Sequence, residues 1–168
     1  MGPRWLDDDE MRAWLRLVAV VELLPGVLDG QLRRDAGLTH FDYHVLAMLS
    51  EAPERTLRMT ELATRTNATL PRLSHVVRRL EERGLVERAP CPSDGRATNA
   101  RLTDAGWTKV RETAPGHLAT VREHVIDALT PEQVGQLADV AGALLERLDP
   151  DGRLATGLAA AEARGRDR

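Results

Sequence analysis

Between Thr60 and Leu102 the spacing of the apolar residues changes from helical to extended, and few folds accommodate that order of elements in so short a stretch. Thr60 and Glu61 open a short helix that runs through Leu62 and Ala63 to about Thr66, and Asn67-Ala68 follows as a turn. Thr69 has the hydroxyl of an N-cap for a helix from Leu70 to Arg83. Pro71 is tolerated in its first turn, because the N–H it lacks has no intrahelical partner there. Gly84 ends the helix in left-handed geometry. Leu85-Val86-Glu87-Arg88 then reads as a strand, Ala89 to Arg96 as a turn-rich stretch and Thr98 to Leu102 as a returning strand. A two-stranded hairpin is marginal alone, so this one packs on the preceding helix as a wing. Two short helices joined by a tight turn, the second amphipathic and basic, followed by a wing, outline a winged helix-turn-helix.

Long helices flank this unit. Met11, Trp14, Leu15, Val18, Val21, Leu24, Leu28 and Leu32 recur at helical steps behind an acidic run that suits a helix N-terminus. Pro25-Gly26 predicts a kink or short break within that helix, and Gly37 its end. Thr39 caps a second helix through Tyr43, Val45, Leu46 and Leu49, which stops before Pro53, and a loop then carries Arg55 and Arg58. Thr103 caps a long helix with Val110, Leu118, Val121, Val125 and Leu129, where Pro115-Gly116 predicts a second kink. Thr130, Pro131, Glu132 and Gln133 make a capping box for a last helix to about Leu148, with a stripe of Val134, Leu137, Ala141, Leu144, Leu145 and Leu148. The expected architecture is mainly α with a small β-hairpin. It divides into an N-terminal dimerisation helix (1–38), a winged helix-turn-helix domain (39–103), C-terminal dimerisation helices (104–150) and a flexible tail (151–168).

Charge is distributed unevenly. From Arg55 to Arg101 there are ten arginines, no lysine and five acids, a net +5, so the remainder carries −8 of the overall −3. A localised polyanion-binding face produces such asymmetry, as does a solvated helix surface. No apolar run approaches a membrane span and the N-terminus is acidic where a signal peptide is basic, so a cytoplasmic protein without a membrane partner is expected. The single cysteine, Cys91, forms no intramolecular disulfide. No phosphate loop, G-x-S-x-G nucleophile or assignable carboxylate pair is present, so an enzyme is not expected, nor a cofactor.

On the second short helix, Leu70, Leu73, Val76, Val77 and Leu80 share one side, while Pro71, His75, Arg78 and Glu82 point the opposite way and Arg72, Ser74 and Arg79 flank them. Guanidinium, hydroxyl and imidazole groups on an outward stripe suit base-edge and phosphate recognition in a major groove. Arg96 near the hairpin tip suits a minor groove, with Asp94 placed to pair with it and hold the wing's shape. An ordinary surface helix and a solvated turn carry the same residue types.

The run from Leu73 to Arg88, then Asp94-x-Arg96 and Leu102-Thr103-x-x-Gly106, resembles the signature of the MarR family of winged helix-turn-helix regulators, and the resemblance extends from the first helix to about Leu148. It implies a homodimer with intertwined terminal helices, binding to a pseudo-palindromic site on double-stranded DNA as a transcription regulator, commonly a repressor, and release by a small-molecule effector. By position, base contact passes to Ser74 and His75, helped by Arg72 and Arg78, and minor-groove contact to Arg96. Thr69, Pro71, Arg79 and Asp94 complete the expected DNA-facing set. Family members often carry Thr-Arg where this chain has Ser74-His75. The same analogy places Trp14, His40, Tyr43 and His44 around an effector cavity. His40, His44, His117 and His124 show only one ligand-spaced pair, short of the converging set a zinc site needs, so no metal is expected. Cys91 lies in the wing rather than the N-terminal helix that carries the reactive cysteine of the family's peroxide sensors. The competing reading is a winged-helix protein–protein interaction module without DNA binding, which a steep salt dependence of duplex binding separates from a regulator.

Overall fold

The computed structural model describes residues 2–154. Asp7 opens helix α1 (Asp8–Ala36) with a capping box closed by Glu10, and Gly37 ends it at φ 64°. α1 runs through Pro25 without a break, contrary to the expectation of an interruption there. Val21, whose carbonyl loses its donor to the proline, is exposed, so solvent can take that place. Thr39 and Asp42 form the capping box of α2 (His40–Glu51). A 3-10 turn, Pro53–Arg55, leads into strand β1 (Thr56–Arg58), where the sequence reading expects a loop. Then come α3 (Met59–Arg65), α4 (Leu70–Glu82), β2 (Val86–Cys91) and β3 (Asp94–Leu102). The sheet is therefore three-stranded and antiparallel, in the order β1-β3-β2, with Leu57 opposite Ala100 and Val86 opposite Leu102.

The wing strands are longer than their apolar pattern suggests. Ala89, Pro90 and Cys91 continue β2 and Asp94 to Ala97 begin β3, so the turn contracts to Pro92-Ser93. Pro90 is accommodated because β2 is an edge strand with an irregularity beside it. Thr103 caps α5 (Asp104–Val121), which passes through Pro115 unbroken and changes to a π-helical turn only at Arg122–Ile126. Thr130 and Gln133 box the start of α6 (Pro131–Leu148). The expected tail falls largely outside the described residues.

The core lies where the three-stranded sheet meets α2, α3 and α4. Leu38, Val45, Leu46, Leu49, Leu62, Leu73, Val77, Leu80, Val86 and Ala100 are almost fully enclosed, with Val110 of α5 packed beside them. Gly106 joins α5 to the wing, because a Cβ there would stand 2.1 Å from the Leu85 carbonyl oxygen. Thr103 locks the same junction by donating its hydroxyl to the Gly84 carbonyl at 2.7 Å. α6 buries none of its residues within the chain, and the N-terminal part of α1 exposes Trp14, Leu15, Val20, Val21 and Leu23. No helix among the described residues is long and apolar enough to cross a membrane.

Candidate nucleic-acid interface

Leu73, Val76, Val77 and Leu80 anchor α4 in the core, which turns Pro71, Arg72, His75 and Arg78 to solvent and leaves Ser74 half-buried. Thr69 accepts from the Arg72 amide at 3.4 Å as the helix cap. Leu70, expected with the buried stripe, is 43% exposed beside Pro71, because it stands in the first turn beyond the edge of the core. Arg78 Nη2 lies 3.2 Å from His75 Nδ1. An arginine only donates, so Nδ1 accepts and the ring hydrogen rests on Nε2, free to donate outward.

Two ion pairs set the pose of α4. Arg79, expected on the flank of the reading stripe, donates instead to Asp42 of α2, and Asp42 also accepts from the Thr39 amide at 2.9 Å. Asp42 is only 2% exposed, so one buried carboxylate both caps α2 and holds the recognition helix against it. Glu81 accepts from the Arg88 amide at 3.0 Å and from its guanidinium Nε and Nη2 at 2.9 and 2.7 Å. The hydrogen bonds from Arg88 hold the Glu81 carboxyl below the usual carboxylate range and tie the end of α4 to the root of the wing. Arg72 stacks over Phe41 with its guanidinium carbon 4.2 Å from the ring centroid.

At the wing tip Asp94 accepts from the backbone amide of Arg96 at 3.1 Å, and its other oxygen stands 4.0 Å from Arg58. Arg58 also donates to the Ser93 hydroxyl at 3.2 Å. The expected partnership of Asp94 with Arg96 is thus made through the backbone, and the Arg96 side chain remains exposed. Arg58 escaped the sequence reading because a three-residue strand has no alternation to reveal it. Cys91 is buried at the base of this turn, 3.2 Å from Ser93 Oγ, and that hydrogen bond lowers its thiol pKa.

A second polar cluster lies between α1, α2 and α5. Burial lowers the pKa values of His40, His44 and His117, and raises that of Tyr43. The His117 ring centroid is 4.8 Å from Tyr43 and 6.2 Å from His40. His117 Nδ1 and Gln31 Oε1 are buried with no hydrogen-bond partner among the described residues. His40, Tyr43 and His44 lie in this cluster together with Gln31 and His117, whereas Trp14 stands exposed on the N-terminal half of α1, away from it. His124 is bonded instead to the Thr120 carbonyl. Among the described residues no group of three or more His, Cys, Asp or Glu side chains is placed to hold a metal ion.

A helix-turn-helix with a cationic outer face and a braced hairpin beside it defines a winged helix-turn-helix. Residues 36–97 match the model of the MarR family. The chain is 48% identical to Sco3205, a MarR family transcriptional regulator from Streptomyces coelicolor solved in complex with DNA; 89% of this chain and 93% of that one superpose with a TM-score of 0.84. It is 41% identical to AbsC, a MarR family regulator of the same organism, over 87% and 98% of the two chains, with a TM-score of 0.82. HTH-type transcriptional repressor YetL of Bacillus subtilis is 29% identical over 112 residues, 67% of this chain and 66% of its own. Repressor IacR of Pseudomonas putida is 39% identical over 68 residues, 40% of each chain. The chain belongs to the MarR family and is a DNA-binding transcription regulator, a family of regulators and not of enzymes.

Proposed function

We propose that the protein is a repressor that binds a pseudo-palindromic operator as a homodimer, with α4 in the major groove and the β2-β3 wing in the adjacent minor groove. The observation that carries this reading is the outward stripe of α4, where Ser74, His75 and Arg78 stand on a helix whose inner face is buried in the core and whose C-terminal end is pinned by Asp42–Arg79 and Glu81–Arg88. Such pinning fixes the reading groups before contact, so little ordering cost remains on binding. Thr69, Pro71 and Arg72 lie at the leading end of that helix, and Asp94 and Arg96 at the wing tip, where each meets backbone or groove. Arg79 acts by positioning α4. YetL and IacR are named as repressors, which supports the sign of regulation.

The division proposed for the chain is a winged domain of 39–103 between dimerisation segments 1–38 and 104–150. The apolar surface of α1 and α6 supports it, since Leu137, Val140, Leu144 and Leu148 are exposed among the described residues, as is the stripe of α1. The cluster of His40, Tyr43, His44, His117 and Gln31 is the proposed effector site, because unpartnered buried polar atoms at a helix junction are costly unless a ligand or water meets them. Sedimentation of the protein alone and with operator duplex tests the assembly. A dimer at low micromolar concentration and one dimer per duplex are expected; a folded monomer in either sample overturns it.

A further inference from the structure

The wing and the recognition helix enclose a cleft of ≈230 Å³ whose polar lining is Arg58, Thr60, Ser74, Arg88, Arg96 and Thr98. It is lined by three arginines and three hydroxyl residues, and no acidic residue lines it. At about 30 Å³ per water the cleft has room for several waters, or for a phosphodiester group in their place. Glu81 occupies Nε and Nη2 of Arg88 from outside the cleft, and Asp94 faces Arg58 across the wing tip, so the acids nearby orient the cations without filling the space. Thr60 and Thr98 are exposed, and neither hydroxyl has a partner among the described residues.

Geometry decides what enters. A duplex with α4 in its major groove and the wing in the neighbouring minor groove must pass the sugar-phosphate strand that separates those grooves between the two elements. The cleft is the space between them. We infer that it is a seat for one DNA backbone phosphodiester in each half-site, with the Thr60 and Thr98 hydroxyls and the Arg88 and Arg96 guanidinium groups as donors. This inference rests on the groove assignment proposed above. Such a contact carries no base information; it fixes how far along the strand Ser74 and His75 start to read, and so sets the register of the whole interface.

The test is a scan of the operator duplex in which single phosphates are replaced by neutral methylphosphonates, read by binding of the wild type and of a Thr60→Val, Thr98→Val variant. Both positions are exposed, and an unchanged thermal midpoint verifies that the variant folds. In the wild type one linkage per half-site, between the two grooves, is expected to weaken binding by about tenfold or more when neutralised, as for hydrogen bonds to a charged group. In the variant that loss shrinks by about threefold or more while other linkages keep their wild-type effect. A wild-type map with no sensitive linkage at the groove boundary overturns the seat, as does a sensitivity that the variant leaves unchanged. Failure of the wild type to discriminate unmodified operator from random duplex instead overturns the groove assignment itself, so the two failures are distinguishable.

Discussion

Arg78 and Arg96 are both exposed arginines, yet their surroundings suit them to different work in the proposed complex. Arg78 sits on a rigid helix and shares a hydrogen bond with His75, so replacing either residue removes a directed donor. Arg78→Ala or His75→Ala is expected to cost about 1–3 kcal/mol at particular base pairs and relax preference there. Arg96 rides on a tip braced by Asp94 and Arg58, and in the proposed complex its guanidinium would meet groove width and phosphate rather than one base. Arg96→Ala should weaken all sequences similarly and make the logarithmic salt slope shallower by about one unit. Stability should shift by less than about 0.5 kcal/mol in each case. Affinities over a panel of operator variants at two salt concentrations check all three substitutions; wild-type binding throughout would remove these residues from the interface.

The elements were legible where the sequence carries local chemistry. Thr39, Thr69, Thr103 and Thr130 each announce a helix start, and each hydroxyl accepts from a backbone amide in the first turn. What escaped depends on partners distant in the chain. β1 exists only because residues 56–58 pair with 99–101, and His117 joins Tyr43 only after α5 folds back on α2. Pro25 and Pro115 mark lost donors without breaking their helices, since exposed carbonyls have water as an alternative. Arg79 looks like a reading residue by angle alone, and the buried Asp42 that claims it lies 37 positions earlier. Asp42→Asn removes the charge from that contact while keeping its shape. With Arg79 partly hydrated, a loss of about 1–2 kcal/mol is expected, a fall in midpoint of about 3–6 °C. DNA affinity should drop for all sequences alike, because the helix loses its pose and not its reading groups. Thermal melts and the operator panel check this; a melt unchanged within about 1 °C would mean that the pair holds nothing.

At the level of the whole molecule, the histidine cluster makes stability depend on pH. Burial lowers the pKa values of His40, His44 and His117 below the ordinary 6.5. The folded chain then binds fewer protons than the unfolded chain below that value, so stability is complete above it and is lost as pH falls towards the folded pKa values. The Arg33 guanidinium and the His40 amide hold the Asp29 carboxyl below its ordinary value, and it and Glu81 lose their contribution only at more acid pH, below their ordinary values of 3.8 and 4.5. Melting at intervals from pH 7.5 down to about 5.5 should therefore show a decline that His117→Gln reduces, and a flat profile would contradict the burial of neutral rings.

The same helices that bury this cluster leave α6 and the outer part of α1 uncovered, and a two-fold partner on those surfaces would set two α4 helices side by side along one face of a duplex. Selection of bound sites from random duplexes at two salt concentrations examines that arrangement together with the reading face. An enriched, two-fold related sequence with half-site centres about 10 base pairs apart is expected, held at both salt concentrations with weaker affinity at the higher. Recovery of no preferred sequence, or of a single unpaired half-site, would show that α4 and the wing do not read DNA as a symmetric pair.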